Sequence, residues 1–209
     1  MNRKTILVTG AARRVGSAIA RVLHATGANI LVHYHLASEA AAALVAELNL
    51  ARPSSAACLQ ADLRQVETSP QLVASTIDRF GRLDALVNNA SSFFPTPFGS
   101  IDVAAWNELL DSNLKAPLFL TQAAAPHLAA SRGAVVNITD IHAERPLAGY
   151  PLYCAAKAGL LGLTRALAIE LAPLVRVNAV APGPILWPES DLFDSAARAE
   201  ILAHTLLQR

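Results

Sequence analysis

Short apolar runs alternate with segments of helical periodicity along the whole chain, and this alternation constrains the fold most strongly. Each run has the β-branched and aliphatic composition of a buried strand and ends at a turn or polar residue. The runs are 6–8, 30–34, 56–60, 85–87, 134–138 and 175–180. Because strands that alternate with helices pair in parallel, the sequence predicts an α/β protein. Its doubly wound, Rossmann-like parallel sheet should be covered on both faces.

The segments between these runs predict the helices. They are 14–26, 38–50, 72–80, 102–128, the stretch around Tyr153 at 149–173, and 194–207. Ser38 and Asp102 are suited to cap the second and fourth of these helices. Gly81 is suited to end the third, and Pro117 predicts a kink or break in the fourth. No internal linker or repeat is evident, so residues 1–209 are predicted to form a single domain.

Composition narrows the classes of function. The chain has 209 residues, of which 53% are hydrophobic and 16% charged, so a folded domain with a substantial core is expected. The net charge of +1 argues against a general nucleic-acid or membrane-surface binder. Two cysteines, Cys58 and Cys154, are too few for a disulfide framework, so a cytoplasmic location is expected. No continuous apolar run is long enough to predict a membrane span, and no metal site is assigned.

The segment after the first predicted strand, at 9–16, indicates a phosphate site. Gly10 permits a tight turn, and Gly16 lets the start of the next helix pack closely. The helix N-terminus would present N–H groups and a positive dipole end to a pyrophosphate. Two glycines at this spacing are a weak signal alone, and their position after the first strand strengthens it.

Tyr153 and Lys157 lie four residues apart in a helical segment, which places both side chains on one face. A positive charge beside a phenol favours its ionised form, so Lys157 is expected to lower the pKa of Tyr153. Such a tyrosine can pass a proton to a substrate near neutral pH. An exposed tyrosine and a solvated lysine on an amphipathic helix would show the same spacing. The other motifs of the chain favour the catalytic interpretation.

These motifs together resemble the short-chain dehydrogenase/reductase family over essentially the whole chain. They are a T-G-x-x-x-R-x-G turn at 9–16, an N-N-A run at 88–90, Asn113, the Tyr153–Lys157 pair and a P-G pair at 182–183. The resemblance implies an oxidoreductase in which Tyr153 gives a proton. Lys157 would lower the pKa of Tyr153 and hold the cofactor ribose, and Asn113 would support a proton path.

Asp140 departs from the general family, which carries a serine at this position, thirteen residues before the tyrosine. A serine hydroxyl donates to a carbonyl oxygen that gains negative charge, whereas an ionised aspartate would repel it. Reduction of a C=N bond delivers hydride to carbon and a proton to nitrogen. An aspartate beside the proton donor is compatible with that reaction because it can orient the Tyr153 hydroxyl. A turn cap after the fifth strand is the alternative role for Asp140.

The loop at 91–100 is also unusual, because it contains two prolines and three phenylalanines. Together with Asp140, Arg13-Arg14 and an H-Y-H sequence at 33–35, it resembles the pteridine reductases of the superfamily. That resemblance implies that Phe93 stacks on a pterin ring and that Ser91 reaches the pterin or a cofactor phosphate. The predicted substrate-binding residues are Arg14, Ser91, Phe93, Asp140 and Tyr153. Alternatively, phenylalanines of this loop simply pin it to the body of the domain.

The end of the second strand indicates NADPH as the cofactor. His33, Tyr34 and His35 stand where an NAD enzyme usually has an acidic residue for the ribose 2′-hydroxyl. A 2′-phosphate would be favoured there, although Leu36 replaces a base that relatives often carry. Alternatively, His33 and His35 are merely exposed strand-end residues. By resemblance Asp62 bonds the adenine, and the cofactor-binding residues are Gly10, Arg13, Arg14, Val15, Gly16, His33, Tyr34, His35, Asp62, Leu63, Asn89, Ala90, Ser91, Tyr153, Lys157, Pro182, Gly183 and Ile185.

The functional prediction is NADPH-dependent reduction of a pterin or dihydropterin, with substrate loops at 91–100 and 182–194. A carbonyl reductase acting on ketones or 3-oxoacyl substrates is one alternative, and a non-catalytic binding protein on the same fold is another. The resemblance implies a homo-oligomer, a tetramer in relatives. Relatives continue into a seventh strand that this sequence does not contain, so it is expected to be either a fragment or a trimmed domain.

Overall fold

The computed structural model describes residues 4–183 and four isolated positions, 195, 199, 202 and 203. Ile185 and most of the predicted loop at 182–194 and of the predicted helix at 194–207 therefore lie outside the described residues. The strands are β1 (Thr5–Val8), β2 (Asn29–Tyr34), β3 (Ala56–Gln60), β4 (Ala85–Asn88), β5 (Ala134–Ile138) and β6 (Arg176–Val180). The α-helices are α1 (Arg14–Ala25), α2 (Ser38–Ala51), α3 (Thr68–Phe80), α4 (Val103–Leu110), α5 (Ala116–Ser131) and α6 (Pro151–Glu170).

The six strands form one parallel sheet in the order β3-β2-β1-β4-β5-β6. This confirms the doubly wound, Rossmann-like prediction, and every strand boundary lies within one residue of its predicted position. The direction of winding reverses between β1 and β4, which are neighbours in the sheet. Such a reversal opens a crevice outside the carboxyl ends of the two strands, where α/β proteins bind their ligands.

Two hydrophobic cores cover the two faces of the sheet, because alternate strand residues point to opposite sides. Ile6 and Val8 pack with the buried faces of α1 and α2. Leu7, between them, packs with α3 and α5 on the other face. The near-continuous apolar runs seen in the sequence are thus explained by burial on both faces.

The predicted helix at 102–128 is divided into three parts. Asp102 caps α4 by accepting a 2.7 Å hydrogen bond from the N–H of Ala105. A π-helical turn, Asp111–Lys115, then separates α4 from α5, and Pro117 lies in the first turn of α5. The predicted break at Pro117 is therefore present. Ser38 was expected to cap α2, but it is the first helical residue and makes no side-chain cap.

The helix α6 is held against the sheet by a ladder of buried amides and hydroxyls. The Asn88 amide donates to Asn137 Oδ1 at 2.8 Å, and the Asn137 amide donates to Thr164 Oγ1 at 2.9 Å. By length and composition α6 could cross a bilayer. In the fold it packs on β5 and β6 and carries the buried Lys157, so we interpret it as a core helix.

Candidate active site

The turn after β1 requires both of its glycines. Gly10 has φ of +59°, and a Cβ there would lie 2.9 Å from the Cα of Ala90. A Cβ on Gly16 would lie 2.3 Å from the carbonyl oxygen of Gly10. These contacts are shorter than van der Waals distances, so larger residues would push the turn away from β4 and α1. The tight turn and close packing predicted from the sequence are both present.

Thr9 binds this turn to the loop that follows β4. Its hydroxyl oxygen accepts hydrogen bonds from the N–H groups of Asn89 and Ala90, each at 2.9 Å. The Asn89 amide returns a 2.9 Å hydrogen bond to the Thr9 carbonyl oxygen. The two loops at the crevice therefore form one unit. Thr9 directly precedes the glycine of the motif, but its role in joining the two loops is not evident from the sequence.

The N-terminus of α1 fits a bound anion. No side chain caps it, and no acidic residue occupies its first turn. The first intrahelical hydrogen bond runs from Ser17 N to Arg13 O, so helix geometry provides no carbonyl partner for the N–H groups of Val15 and Gly16. Arg13 and Arg14 are exposed beside them. This positive end matches the predicted pyrophosphate site.

His33 lies beneath the glycine turn and is buried, which excludes the alternative that it is an exposed strand-end residue. Its Nδ1 accepts a 3.2 Å hydrogen bond from the N–H of Gly10, and its Nε2 donates to the Ala61 carbonyl at 3.1 Å. Burial lowers the pKa of His33 to about 4, so the ring is neutral at pH 7. Both ring nitrogens act within the protein, and His33 supports the turn that would hold a cofactor.

The rest of the predicted 2′-phosphate and adenine region lies at the ends of β2 and β3. His35 is exposed, with its Nε2 3.9 Å from Asp62 Oδ2. Tyr34 is partly buried at the end of β2, and Leu63 is buried beside Asp62. Arg64 donates to both oxygens of Asp62, at 2.9 and 2.8 Å, and lowers the pKa of that carboxyl to about 2.

Asp140 and Tyr153 are directly hydrogen-bonded. The Tyr153 hydroxyl donates to Asp140 Oδ2 at 2.6 Å, while Asp140 Oδ1 accepts from the N–H of His142 at 2.9 Å. Asp140 therefore has both of the roles considered for it, since it caps the turn after β5 and orients the tyrosine. The P-G pair lies beside the same turn, because Ile141 N donates to the Pro182 carbonyl.

The electrostatics of Tyr153 differ from the sequence prediction. The residue is buried and faces the Asp140 carboxylate, and these two causes raise its pKa above the ordinary value for a phenol. The net direction is therefore opposite to the lowering predicted from Lys157 alone. Lys157 Nζ lies 5.7 Å from the centre of the Tyr153 ring and donates to the Ile138 carbonyl at 3.0 Å. Burial lowers the pKa of Lys157 to about 8, partly opposed by the Asp140 charge.

Asn113 lies in the π-helical turn, fully buried, and holds the loop that follows β4. Its Oδ1 accepts a 2.6 Å hydrogen bond from the Ser91 hydroxyl. Its Nδ2 donates to the carbonyls of Ser92 and Leu109, at 2.9 and 3.0 Å. The predicted residues Asn113 and Ser91 are thus in contact, and the π turn aims the amide at the loop.

Phe93 contacts two tyrosines, Tyr150 just before α6 and Tyr153 within it. Its ring stacks on Tyr150, with centroids 4.7 Å apart, and meets the Tyr153 ring edge-on at the same separation. Phe94 packs in the same cluster, whereas Phe98 is 95% exposed. Phe93 and Phe94 therefore anchor the loop to the body of the domain, and Phe98 does not. Phe93 is also in contact with the candidate proton donor.

The structure brings the main predicted groups to one crevice. Within residues 4–183, these are the glycine turn, the Asn89–Ser91 loop, Phe93, Asn113, Asp140, Tyr153 and Lys157. Among the described residues, no group of three or more His, Cys, Asp or Glu side chains could hold a metal ion. Arg64 and Glu108 also border the crevice, but they belong to no motif that sequence reasoning could have used.

Known proteins share this sequence pattern. The family described as short chain dehydrogenase matches residues 4–196. Pteridine reductase 1 of Leishmania tarentolae is 41% identical, over 88% of this chain and 77% of the relative. A 3-oxoacyl-[acyl-carrier-protein] reductase of Synechocystis sp. is 38% identical, over 88% of this chain and 74% of its own length. The 3-oxoacyl-[acyl-carrier-protein] reductase of Staphylococcus aureus is 33% identical, over 99% of this chain and 84% of its own length.

Proposed function

Since the chain belongs to the short-chain dehydrogenase family, a family of oxidoreductases, we propose that it reduces pterins or dihydropterins with NADPH. The observation that carries this proposal is the 2.6 Å hydrogen bond from Tyr153 to Asp140. It puts a carboxylate, rather than a neutral hydroxyl, beside the proton donor. The similarity to a pteridine reductase at 41% identity supports the same substrate class.

The described residues fit a dinucleotide with a 2′-phosphate. The α1 N-terminus, with Arg13 and Arg14, would hold the pyrophosphate, and Asp62 would face the adenine. No acidic residue ends β2, and the Asp62 carboxylate that lies 3.9 Å from His35 is already paired with Arg64. Lys157 and Asn89 would hold the nicotinamide half. When bound, NADPH supplies a hydride to the substrate.

The proton would come from Tyr153. Its raised pKa keeps the phenol protonated at neutral pH, and Asp140 holds the O–H in one direction. When a ring nitrogen of the substrate becomes basic, the phenol turns its hydrogen bond from Asp140 to that nitrogen and transfers the proton. The phenolate left behind lies near the Asp140 carboxylate. The Lys157 ammonium, 5.7 Å from the ring centre, offsets that unfavourable pair of negative charges.

A pterin also suits the aromatic part of the crevice. Phe93 lies next to Tyr153 with one face stacked on Tyr150, so a flat heterocycle would stack on its opposite face. Ser91, Asp140 and Tyr153 are polar groups that converge beside it. A pterin edge carries donors and acceptors that could pair with them, whereas an aliphatic ketone would leave them unpaired.

Reduction of a 3-oxoacyl or ketone substrate is the second candidate. It is favoured by the 3-oxoacyl reductases at 33–38% identity. The negative Asp140 opposes it, because a carbonyl oxygen gains negative charge during reduction. A non-catalytic role is less well supported, because Tyr153 is hydrogen-bonded to Asp140 and Lys157 lies beside its ring, as a proton donor would require.

Consumption of NADPH by the purified protein tests the proposal. Dihydrobiopterin, dihydrofolate, a simple ketone and a 3-oxoacyl thioester should be compared at equal concentration. We expect the two pterins to be reduced far faster, and diaminopteridine antifolates to inhibit. Turnover of the ketone or thioester without pterin activity or antifolate inhibition would favour the second candidate instead.

A further inference from the structure

Glu108, on α4, joins two parts of the crevice that are far apart in sequence. One carboxylate oxygen accepts a hydrogen bond from the Ser92 hydroxyl. The other accepts from the Arg64 guanidinium. Its side chain is 32% exposed, so the carboxylate is partly withdrawn from water. No motif contains Glu108, and the proton-transfer steps described above do not use it.

Arg64 continues this connection to the end of β3. Its Nε and Nη2 donate to the two oxygens of Asp62, at 2.9 and 2.8 Å, while Nη1 donates to Glu108. One guanidinium therefore bridges two carboxylates, which suits its planar set of donors. The resulting chain, Asp62–Arg64–Glu108–Ser92, runs from the proposed adenine end of the crevice to the loop after β4.

Ser92 is held from two directions. Glu108 accepts from its hydroxyl, and Asn113 Nδ2 donates to its carbonyl oxygen at 2.9 Å. Asn113 also accepts from Ser91, the preceding residue, at 2.6 Å. The next residue is Phe93, which contacts the Tyr153 ring. Ser92 therefore connects Ser91 to Phe93, and its hydrogen bonds to Glu108 and Asn113 restrict the loop between them.

We infer that Glu108 is a positioning residue that fixes the substrate loop through Ser92 and aligns it with the cofactor region through Arg64. It contacts no reacting atom, and it acts by restricting the loop before the substrate arrives. The identity of that substrate rests on the proposed function, but the inference itself concerns only the placement of Ser91 and Phe93.

The opposing interpretation is an ordinary surface ion pair, which contributes little because water screens it. The chain offers a matched control for that case. Glu47 on α2 forms a bidentate pair with Arg21 on α1 at 2.8 Å, with side chains 51% and 47% exposed. This pair joins two helices and touches neither loop of the crevice. Glu47→Gln therefore removes the same charge from a more exposed arginine pair that lies outside the loop.

The test compares Glu108→Gln, Ser92→Ala and the double variant with Glu47→Gln. For whichever substrate the parent protein reduces, we expect Glu108→Gln to raise KM about tenfold, since it weakens hydrogen bonds to a charged group. Turnover at saturation should change much less. Ser92→Ala should also raise KM, and the effect of the double variant should be smaller than the sum of the two single effects, because both changes act on the Ser92–Glu108 hydrogen bond.

Three results would overturn the inference. The first is a KM for Glu108→Gln equal to that of Glu47→Gln. The second is additive effects of Glu108→Gln and Ser92→Ala on KM. The third is a fall in both turnover and melting temperature of Glu108→Gln while its KM is unchanged. If the parent protein reduces only ketones, the pterin proposal fails, but the KM of Glu108→Gln for the ketone still tests the positioning role. If nothing is reduced, hydrogen exchange at 91–97 decides. Faster exchange in Glu108→Gln than in Glu47→Gln supports the positioning role, and equal exchange refutes it.

Discussion

The Tyr153 hydroxyl donates a 2.6 Å hydrogen bond to Asp140, a residue thirteen positions earlier on a different element. This contact reverses the expected effect on the tyrosine. A phenol beside Lys157 alone would ionise more easily, whereas a buried phenol that faces a carboxylate retains its proton. The phenol is therefore protonated and held in one direction by Asp140, and it is a weaker acid than an exposed tyrosine.

Removal of the Tyr153 hydroxyl should abolish proton donation and leave cofactor binding intact. We expect Tyr153→Phe to lower turnover by about 100- to 10,000-fold, the range usual for a lost general acid. Binding of NADPH, measured by fluorescence titration, should change little. Tyr150→Phe is the matched control, since it removes a nearby phenol hydroxyl and keeps the ring that stacks on Phe93. Normal turnover by Tyr153→Phe would contradict the proposed mechanism.

Substitution of Asp140 should change which substrates are reduced. Asp140→Ser removes the negative charge and leaves a hydroxyl that can donate to a carbonyl oxygen. We expect loss of pterin reduction with retained NADPH binding, because the orientation of the Tyr153 hydroxyl by a carboxylate is lost. The kinetic comparison needs a melting curve, since Asp140 also caps the turn at His142. Undiminished pterin turnover in a folded variant would exclude the role given to Asp140.

The cofactor preference should depend on the charge at the end of β2. We expect the parent protein to bind NADPH at least about tenfold more tightly than NADH, since charge-assisted hydrogen bonds to a phosphate are strong. His35→Asp should reduce that ratio by repelling the 2′-phosphate. His127→Asp, at an exposed position on α5, controls for the change in net charge. Equal affinity of the parent protein for both cofactors would refute the NADPH assignment.

Phe93→Ala should raise KM for the pterin more than KM for NADPH, because it removes the aromatic ring on which the pterin is proposed to stack. Its contact with the Tyr153 ring implies that turnover should also fall. Phe98→Ala lies in the same loop, and its side chain is 95% exposed, so it should leave both constants near those of the parent. Steady-state kinetics with both substrates varied would measure the difference. Equal effects of the two substitutions would remove Phe93 from the substrate site.

His33 should make stability depend on pH. Its pKa in the folded protein is about 4, below the ordinary 6.5, so the unfolded chain binds a proton more readily. The contribution of His33 is complete above pH 6.5 and is lost as pH falls from 6.5 towards 4. The full effect is on the order of 3 kcal/mol. In urea unfolding, His33→Gln should flatten this dependence, whereas the exposed His127→Gln should not. An unchanged pH dependence of the free energy of unfolding in His33→Gln would show that His33 is not its source.

Much of the fold and part of the site could be predicted from local sequence pattern. Strand positions follow from apolar runs, because a strand buried on both faces needs no polar residue. Gly10 and Gly16 mark the turn after β1, because backbone there approaches too closely for a Cβ. The spacing of Tyr153 and Lys157 places both on one face of α6, since helical geometry is local.

Only the tertiary structure decided the environments of the site residues. The pKa of Tyr153 depends on its burial and on its contact with Asp140. The four-residue spacing of Tyr153 and Lys157 gives no information about either. His33 is buried because β1 and β3 flank β2 in the sheet. The sequence at 33–35 does not show that its strand has a neighbour on each side. Arg64 and Glu108 meet across 44 positions of chain. Periodicity is a property of neighbouring residues, whereas burial, charge and contact depend on which distant segments the fold brings together.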